Sequence, residues 1–216
     1  MKAVIFDLDG LLLDTERIHA QVYERIANRY DRTIPEAVQA RLRGRRSEDS
    51  AATLIEAVGL PLNVEEFLTI RLPLVEAAIQ AAPPMPGAVE LVRSLHAAGV
   101  PQAIATSSNR SAFAHKTVPH RSWLDLCNPV ICGDEPGLWR SKPAPDIFLI
   151  AAERLGVTPA DCLVFEDAAA GIAAGKAAGM TVVAVPGPGA DPDELAIADV
   201  LLDSLEQFDL GAWGLA

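Results

Sequence analysis

Four short stretches of the chain carry side chains that could act together on one chemical group. Most of these side chains follow an apolar run that is typical of a buried strand. They are two carboxylates (Asp7 and Asp9), a hydroxyl (Thr106), an ammonium (Lys142) and an acidic pair (Glu166 and Asp167). Because ligands of open parallel sheets bind outside the carboxyl ends of the strands, we expect these side chains to converge at one sheet edge.

The first two carboxylates suit phosphoryl transfer. Asp7 could attack phosphorus as a nucleophile and form an aspartyl-phosphate. Asp9 lies two residues further on. It could protonate the leaving oxygen and then deprotonate the attacking water, and each role is worth ~10²–10⁴-fold in rate.

A phosphoryl group also needs donors for its oxygens. Thr106 and the main-chain amides after it, at Ser107 and Ser108, could supply them at the start of a helix. Lys142 could add a cation for the charge that develops in the transition state. Pro143 suits the first position of a helix, so the sequence predicts a helix that begins there and holds Lys142 at its mouth.

The acidic groups also suggest a metal site. The carboxylates of Asp7 and Asp167, with the main-chain carbonyl of Asp9, would form a site made only of oxygen atoms. Such a site favours Mg²⁺ over zinc. The metal would offset the repulsion between a carboxylate and an anionic substrate.

Each of these stretches has an ordinary structural explanation when it is taken alone. Aspartate followed by glycine is common in turns, and a hydroxyl-rich stretch often caps a helix. Lys142 could be a solvated lysine, and the acidic pair could be favoured by a helix dipole. Their joint occurrence after successive strands favours the functional interpretation.

The elements that would position these groups alternate along the chain. Strand-like runs alternate with helical patterns from residue 88 onward, which predicts a parallel sheet with helices on both faces. Between residues 16 and 82 the patterns are helical only, with a stripe formed by Ile18, Val22 and Ile26. We therefore predict an α/β fold with a Rossmann-like core (1–15 and 83–216) and an inserted all-helical cap domain (16–82).

Composition excludes several classes of partner. The 216 residues include 18 Lys and Arg against 29 Asp and Glu, and the net charge is −11. This charge argues against nucleic acid and against an anionic membrane surface. The three cysteines lack the spacing of metal ligands, and the sequence has neither an apolar run of 18 residues nor a signal-peptide pattern. These features predict a cytoplasmic protein. We also expect it to be monomeric.

The motif set resembles the haloacid dehalogenase superfamily of phosphotransferases over nearly the whole chain. The motifs are DLDG at 7–10 followed by LDTE at 13–16, ATSS at 105–108, KPAPDIF at 142–148, and FEDA at 165–168 with a glycine at 171. A helical cap directly after the first motif is similar to the branch that contains β-phosphoglucomutase and small sugar-phosphate phosphatases. The stretch from residue 85 to 167 looks most like pseudouridine-5′-phosphatase and plant glycerol-3-phosphatase.

The resemblance implies a role for each core residue. Asp7 is the implied nucleophile and Asp9 the implied acid and base. Mg²⁺ is implied at Asp7, Asp9 and Asp167, with Glu166 in or near the metal shell. Thr106, Ser107 and Lys142 are the implied ligands of the transferred phosphate.

The cap is expected to select the substrate. Candidate specificity residues are His19 and three arginines of the cap loop, Arg43, Arg45 and Arg46. The arginines could equally be a solvated helix start, and His19 a surface or partly packed side chain. The position that matches the substrate-binding arginine of the mutase is Ser47, which weakens the case for a mutase.

The sequence therefore predicts a Mg²⁺-dependent phosphatase that acts on a small phosphorylated metabolite, such as a sugar, polyol or nucleoside phosphate. Two alternatives stay open. One is a sugar-phosphate mutase. The other is a catalytically silent binding or regulatory protein on the same fold, for which a missing acid or lysine would be expected, and none is missing.

Overall fold

The computed structural model describes residues 1–42, 47–187 and 192–215. It contains two compact units. Residues 14–83 form a helical unit, whereas residues 1–13, 84–187 and the C-terminal segment from 192 form an α/β unit. The helical unit begins two residues before the predicted cap (14 against 16) and ends one residue after it (83 against 82).

The α/β unit is built on a six-stranded sheet in which every paired strand is parallel. The strand order is β3-β2-β1-β4-β5-β6. This order confirms the predicted Rossmann-like sheet, in which the order reverses next to the first strand. The strands are β1 (Ala3–Phe6), β2 (Gln102–Ala105), β3 (Val130–Ile131), β4 (Cys162–Glu166), β5 (Thr181–Ala184) and β6 (Val200–Leu201).

The central strands are buried on both faces, as expected of a parallel sheet that is covered by helices. All residues of β1, β2 and β4 are buried. Phe6 stacks on Phe165 with ring centroids 5.2 Å apart, and Phe208 contacts Phe165 edge-on at 4.8 Å. Phe6 is also the register partner of Phe165. Asp7, which follows Phe6, therefore lies beside Glu166 at the carboxyl edge of the sheet.

In its described residues, the helical unit has four helices around its own apolar core. The predicted stripe of the first helix is buried at Ile18, Val22 and Ile26, and Tyr23 contacts Phe67 with ring centroids 5.8 Å apart. The helices are α1 (Thr15–Asn28), α2 (Glu36–Leu42), α3 (Ser47–Val58) and α4 (Val64–Ala78), and a 3₁₀ turn (Ile79–Ala81) follows.

The helices of the α/β unit connect successive strands. They are α5 (Ala88–Ala97), α6 (Arg110–Lys116), α7 (Arg121–Leu124), α8 (Asp146–Leu155), α9 (Ala169–Ala177) and α10 (Pro192–Leu195). Four 3₁₀ turns accompany them, at Val118–His120, Pro159–Asp161, Leu205–Gln207 and Gly211–Trp213. In the described part of the chain, no helix combines the length and the apolar composition needed to span a membrane.

One predicted boundary is wrong at the site itself. The helix after Lys142 begins at Asp146 and not at Pro143. Ala144 precedes a second proline, and a residue before proline is disfavoured in the helical conformation. Pro145 is the N-cap of α8, and the Lys142–Pro143 peptide bond is cis. Lys142 therefore lies in a loop and not at the mouth of a helix.

Candidate active site

Lys142 is the centre of a buried charge cluster at the carboxyl edge of the sheet. Its Nζ lies 2.6 Å from Asp7 Oδ1 and 2.5 Å from Glu166 Oε1, and it also donates to the carbonyl of Ala105 at 3.1 Å. The ammonium lies 5.0 Å from the centre of the Phe148 ring. The side chains of Lys142 and Asp7 are only 8% and 9% exposed. Three sequence-predicted residues thus meet in one desolvated cluster.

Burial sets the charge states within this cluster. It raises the pKa of Asp7 from 3.8 to about 7; Lys142 opposes this rise, and the charges of Glu166 and Asp9 add to it. Burial also works against the charge on Lys142, but Asp7 and Glu166 outweigh it, so the pKa of Lys142 is raised above its usual range. A further cation beside Asp7 would favour its anionic form, because opposite charge stabilises the ionised state.

Both carboxylate oxygens of Glu166 have partners within the protein. Oε1 accepts from Lys142, while Oε2 accepts from the amides of Asp167 at 3.1 Å and Ala168 at 3.2 Å. The side chain is 1% exposed. Glu166 therefore fixes the position of Lys142 and ties it to the turn that leads into α9.

The close approach of α9 to this carboxylate depends on Gly171. A Cβ atom added there would lie 1.7 Å from Glu166 Oε1. The variant Gly171→Ala is expected to lower the free energy of unfolding by about 1–3 kcal/mol, because the carboxylate or the helix must move. Chemical denaturation would measure this loss.

Gly187→Ala is the matched control, because an added Cβ at Gly187 meets no atom within 4 Å. Equal stabilities of the Gly171 and Gly187 variants would contradict the role assigned to Gly171.

The same edge of the sheet holds the candidate metal ligands. One carboxylate oxygen from each of Asp7, Glu166 and Asp167 lies within 4.8 Å of the others. An added Cβ at Gly10, which has a φ of +92°, would lie 2.1 Å from Asp167 Oδ2, so glycine lets the first loop approach this carboxylate. A donor set of carboxylate oxygens suits Mg²⁺. All three carboxylates are therefore candidate ligands.

Asp9 belongs to a second cluster, which faces the loop after β2. Its Oδ2 accepts from Thr106 Oγ1 at 3.2 Å and from Ser108 Oγ at 2.9 Å. Its Oδ1 lies 2.5 Å from Lys116 Nζ. The side chain of Asp9 is 29% exposed, whereas that of Lys116 is 7% exposed. Two predicted phosphate-binding residues thus contact the predicted acid and base.

Lys116 was not predicted from the sequence. It is the last residue of α6, ten residues after Thr106, and no strand precedes it directly. The signal that singled out the other residues was their position directly after a strand or in the loop behind one. Lys116 lies beside Asp9 because of the direction in which α6 runs. The sequence pattern does not predict that direction.

The loop at 106–109 has the form expected of a phosphate-binding turn. Thr106 is buried and its hydroxyl accepts from the amide of Ser108 at 3.1 Å. Ser107 is exposed at the tip of the loop. Asn109 caps α6 by accepting from the amide of Ala112 at 2.8 Å. The main-chain amides of the loop therefore precede a helix N-terminus, as the sequence predicted.

The loop after β3 supports this turn. The amide of Gly133 donates to the carbonyl of Ser108 at 2.8 Å. Asp134 Oδ1 accepts from the amide of Arg110 at 2.8 Å, and Glu135 accepts from the Arg110 side chain at 2.7 Å. The residues that follow the second and third strands are thereby held together.

One candidate specificity residue, His19, belongs to the described part of the helical unit. His19 lies on α1, and its Nδ1 is 3.1 Å from Arg71 Nη2 on α4. Because a guanidinium only donates, this nitrogen of His19 accepts. The guanidinium carbon of Arg71 also lies 5.5 Å from the centre of the Tyr23 ring. The other predicted specificity residues lie outside the described residues: Arg43, Arg45 and Arg46.

Comparisons with known proteins agree with this geometry. A family model described as haloacid dehalogenase-like hydrolase matches residues 1–179. The chain is 40% identical to (DL)-glycerol-3-phosphatase 1, mitochondrial, of Arabidopsis thaliana, over 98% of this chain and 73% of the relative. It is 41% identical to a probable pseudouridine-5′-phosphatase of Drosophila melanogaster, over 98% of this chain and 93% of the relative.

Among solved structures, one similar protein is a haloacid dehalogenase family hydrolase of Deinococcus radiodurans R1 with bound phosphate and sodium. It superposes with a TM-score of 0.86 at 30% identity and covers 100% of this chain and 97% of its own. The sequence-based resemblance to this superfamily is therefore confirmed.

Proposed function

Because the chain belongs to the haloacid dehalogenase-like hydrolases, we propose that it is a Mg²⁺-dependent phosphatase that hydrolyses a small phosphomonoester through an aspartyl-phosphate on Asp7. The observation that carries the proposal is the buried Asp7 carboxylate, held 2.6 Å from Lys142. Asp167 and Glu166 share the same edge of the sheet. This arrangement is suited to a nucleophile whose charge must be balanced in a desolvated site.

In the first step, an oxygen of Asp7 bonds to phosphorus and the bond from phosphorus to the leaving oxygen breaks. Asp9 gives its proton to that leaving oxygen. Lys142 stays beside Asp7 and stabilises the charge on the phosphoryl oxygens. The amide of Ser107 and the hydroxyls of Thr106 and Ser108 hold those oxygens in place.

In the second step, the oxygen of a water molecule bonds to phosphorus. Asp9 takes a proton from this water, the bond between phosphorus and Asp7 breaks, and inorganic phosphate leaves. Asp9 then carries the proton for the next leaving group.

Mg²⁺ would be held by the carboxylates of Asp7 and Asp167 and by the main-chain carbonyl of Asp9. When bound, it would screen the repulsion between these carboxylates and the anionic substrate. Glu166 supports the site by holding Lys142 in place. The bound phosphate and sodium in the Deinococcus radiodurans hydrolase support an ion and phosphate site in this fold.

The substrate proposed is a small phosphorylated metabolite with a sugar, polyol or nucleoside leaving group. The names of the two relatives, a glycerol-3-phosphatase and a probable pseudouridine-5′-phosphatase, support this class. His19, Arg43, Arg45 and Arg46 are the residues proposed to select within it. A monomeric state and a cytoplasmic location stay predictions.

A panel of phosphorylated metabolites scored for free phosphate tests the proposal. We expect release from glycerol, sugar and nucleoside phosphates in Mg²⁺, loss of release in EDTA, and recovery when Mg²⁺ is added back. Isomerised sugar phosphate without free phosphate would favour the mutase instead. Failure on the whole panel and on a chromogenic phosphate ester would favour the silent binding protein.

A further inference from the structure

Lys116 is a buried lysine whose ammonium contacts Asp9 and Ser108. The residue is 6% exposed. Its Nζ lies 2.5 Å from Asp9 Oδ1 and donates to Ser108 Oγ at 2.8 Å. Ser108 in turn donates to Asp9 Oδ2 at 2.9 Å. The three side chains form a closed triangle of hydrogen bonds between the first loop, the loop after β2 and the end of α6.

Burial of this ammonium is unfavourable by itself. Transfer of a charged group from water into a protein interior costs several kcal/mol per ion before its partners are counted. The partner carboxylate is more exposed, at 29% against 7%. Lys116 is therefore not needed to compensate for burial of the Asp9 carboxylate. It places a cation beside a carboxylate that water can reach.

The donors on Asp9 differ in what they can do once a phosphoryl group is present. Thr106 and Ser108 each have one hydroxyl proton, so neither can donate to Asp9 and to a phosphoryl oxygen at the same time. An ammonium has three protons. When the hydroxyls turn to the phosphoryl oxygens, Lys116 can stay on Asp9.

We infer that Lys116 is the positioning residue that holds Asp9 in place while the aspartyl-phosphate is hydrolysed. The inference rests on the proposed function. In this step the water oxygen bonds to phosphorus, Asp9 accepts the water proton, and the bond between phosphorus and Asp7 breaks. Lys142 contacts Asp7 in the same site, so each of the two proposed catalytic carboxylates has a lysine beside it.

The test follows p-nitrophenyl phosphate in Mg²⁺, with nitrophenol and phosphate release measured separately. Nitrophenol leaves readily without a proton, so formation of the phosphoenzyme should survive in Lys116→Met. Its hydrolysis should slow, which predicts a burst of up to one nitrophenol per enzyme and a steady-state kcat ~10–100-fold below wild type. KM should not rise. Lys116→Arg should recover part of the loss.

A double-mutant cycle separates positioning from a general structural effect. If Lys116 acts through Asp9, Lys116→Met should change kcat little in an Asp9→Asn background. The double variant leaves no unpaired charge among residues 9, 108 and 116, so we expect it to fold. Its kcat can therefore be compared with that of Asp9→Asn even if Lys116→Met alone folds poorly. Lys176→Met is the control, because Lys176 pairs at 2.5 Å with Asp199 instead.

The experiment distinguishes failure of the inference about Lys116 from failure of the proposed function. A wild-type kcat in folded Lys116→Met, or losses that multiply fully in the double variant, would overturn the inference and leave the proposed function intact. A wild-type protein that releases no nitrophenol would contradict the proposed function, and the inference would fall with it.

Discussion

The variant Asp7→Asn is expected to release phosphate at least ~10⁴-fold more slowly than the wild-type protein. The asparagine keeps the shape of the side chain and an acceptor for Lys142, which lies 2.6 Å from Asp7 Oδ1. It cannot form a stable ester with phosphorus, so the covalent step is lost. A chromogenic phosphate ester in excess Mg²⁺ would measure the rate.

The same substitution should stabilise the metal-free fold at alkaline pH. Burial raises the pKa of Asp7 to about 7, well above the ~3.9 of an unfolded aspartate. A carboxyl with a raised pKa stabilises the fold fully below the unfolded pKa, and that stability is lost as pH rises through the folded pKa. In EDTA at pH 8, Asp7→Asn should therefore exceed wild type by roughly 2–4 kcal/mol in free energy of unfolding.

The difference in free energy of unfolding between Asp7→Asn and wild type should narrow as the pH falls from about 7 to below 4. The folded Asp7 is neutral below its pKa of about 7, and the unfolded aspartate becomes neutral only below ~3.9. Thermal and chemical denaturation at several pH values would measure the difference. Asp161→Asn is the control, since Asp161 is a surface carboxylate that pairs with Lys2 at 2.9 Å. Substantial turnover by Asp7→Asn would contradict the role of Asp7 as the nucleophile. A difference in free energy of unfolding that does not change with pH would contradict a pKa of Asp7 that is raised by burial.

The sequence predicted the parts of this site that depend on sheet topology. Parallel strands deliver whatever follows them to one edge. The apolar runs before Asp7 and Thr106 were therefore sufficient to place these residues at that edge. Register then makes Asp7 the neighbour of Glu166. These apolar runs are continuous because strands of a parallel sheet are buried on both faces.

The remaining features depend on tertiary packing. Lys116 reaches Asp9 only because α6 runs back towards the first loop. Glu166 was expected near the metal, but its contacts with Lys142 and with two amides could not be inferred from its place after a strand. The start of α8 was predicted too early because Pro143 was considered without the second proline at 145. In each case the missing information lay outside the local pattern, in a tertiary contact or in a neighbouring residue.

Lys142→Met is the second variant with a large expected effect, and it should impair both stability and activity. The substitution removes the ammonium that separates the carboxylates of Asp7 and Glu166, which are 9% and 1% exposed. Loss of one partner of a buried ion pair costs about 3–5 kcal/mol. Loss of the cation beside the reacting group should also lower kcat by ~10²–10³-fold.

Urea denaturation and turnover of p-nitrophenyl phosphate would measure the two effects of Lys142→Met. Lys2→Met is the matched control, because Lys2 belongs to a surface pair with Asp161 whose side chains are 70% and 37% exposed. Its stability loss should stay below ~1 kcal/mol.

The double variant Asp7→Asn/Lys142→Met shows where the stability loss of Lys142→Met originates. It lacks the ammonium but also one of the two carboxylates that the ammonium had separated. If unpaired buried charge causes the loss, the double variant should be more stable than Lys142→Met. The difference should grow as the pH rises, and it should keep growing above pH 7, because the loss of Lys142 raises the pKa of Asp7 further. A double variant no more stable than Lys142→Met would mean that Lys142 supports the fold through packing against Phe148, and not through its charge.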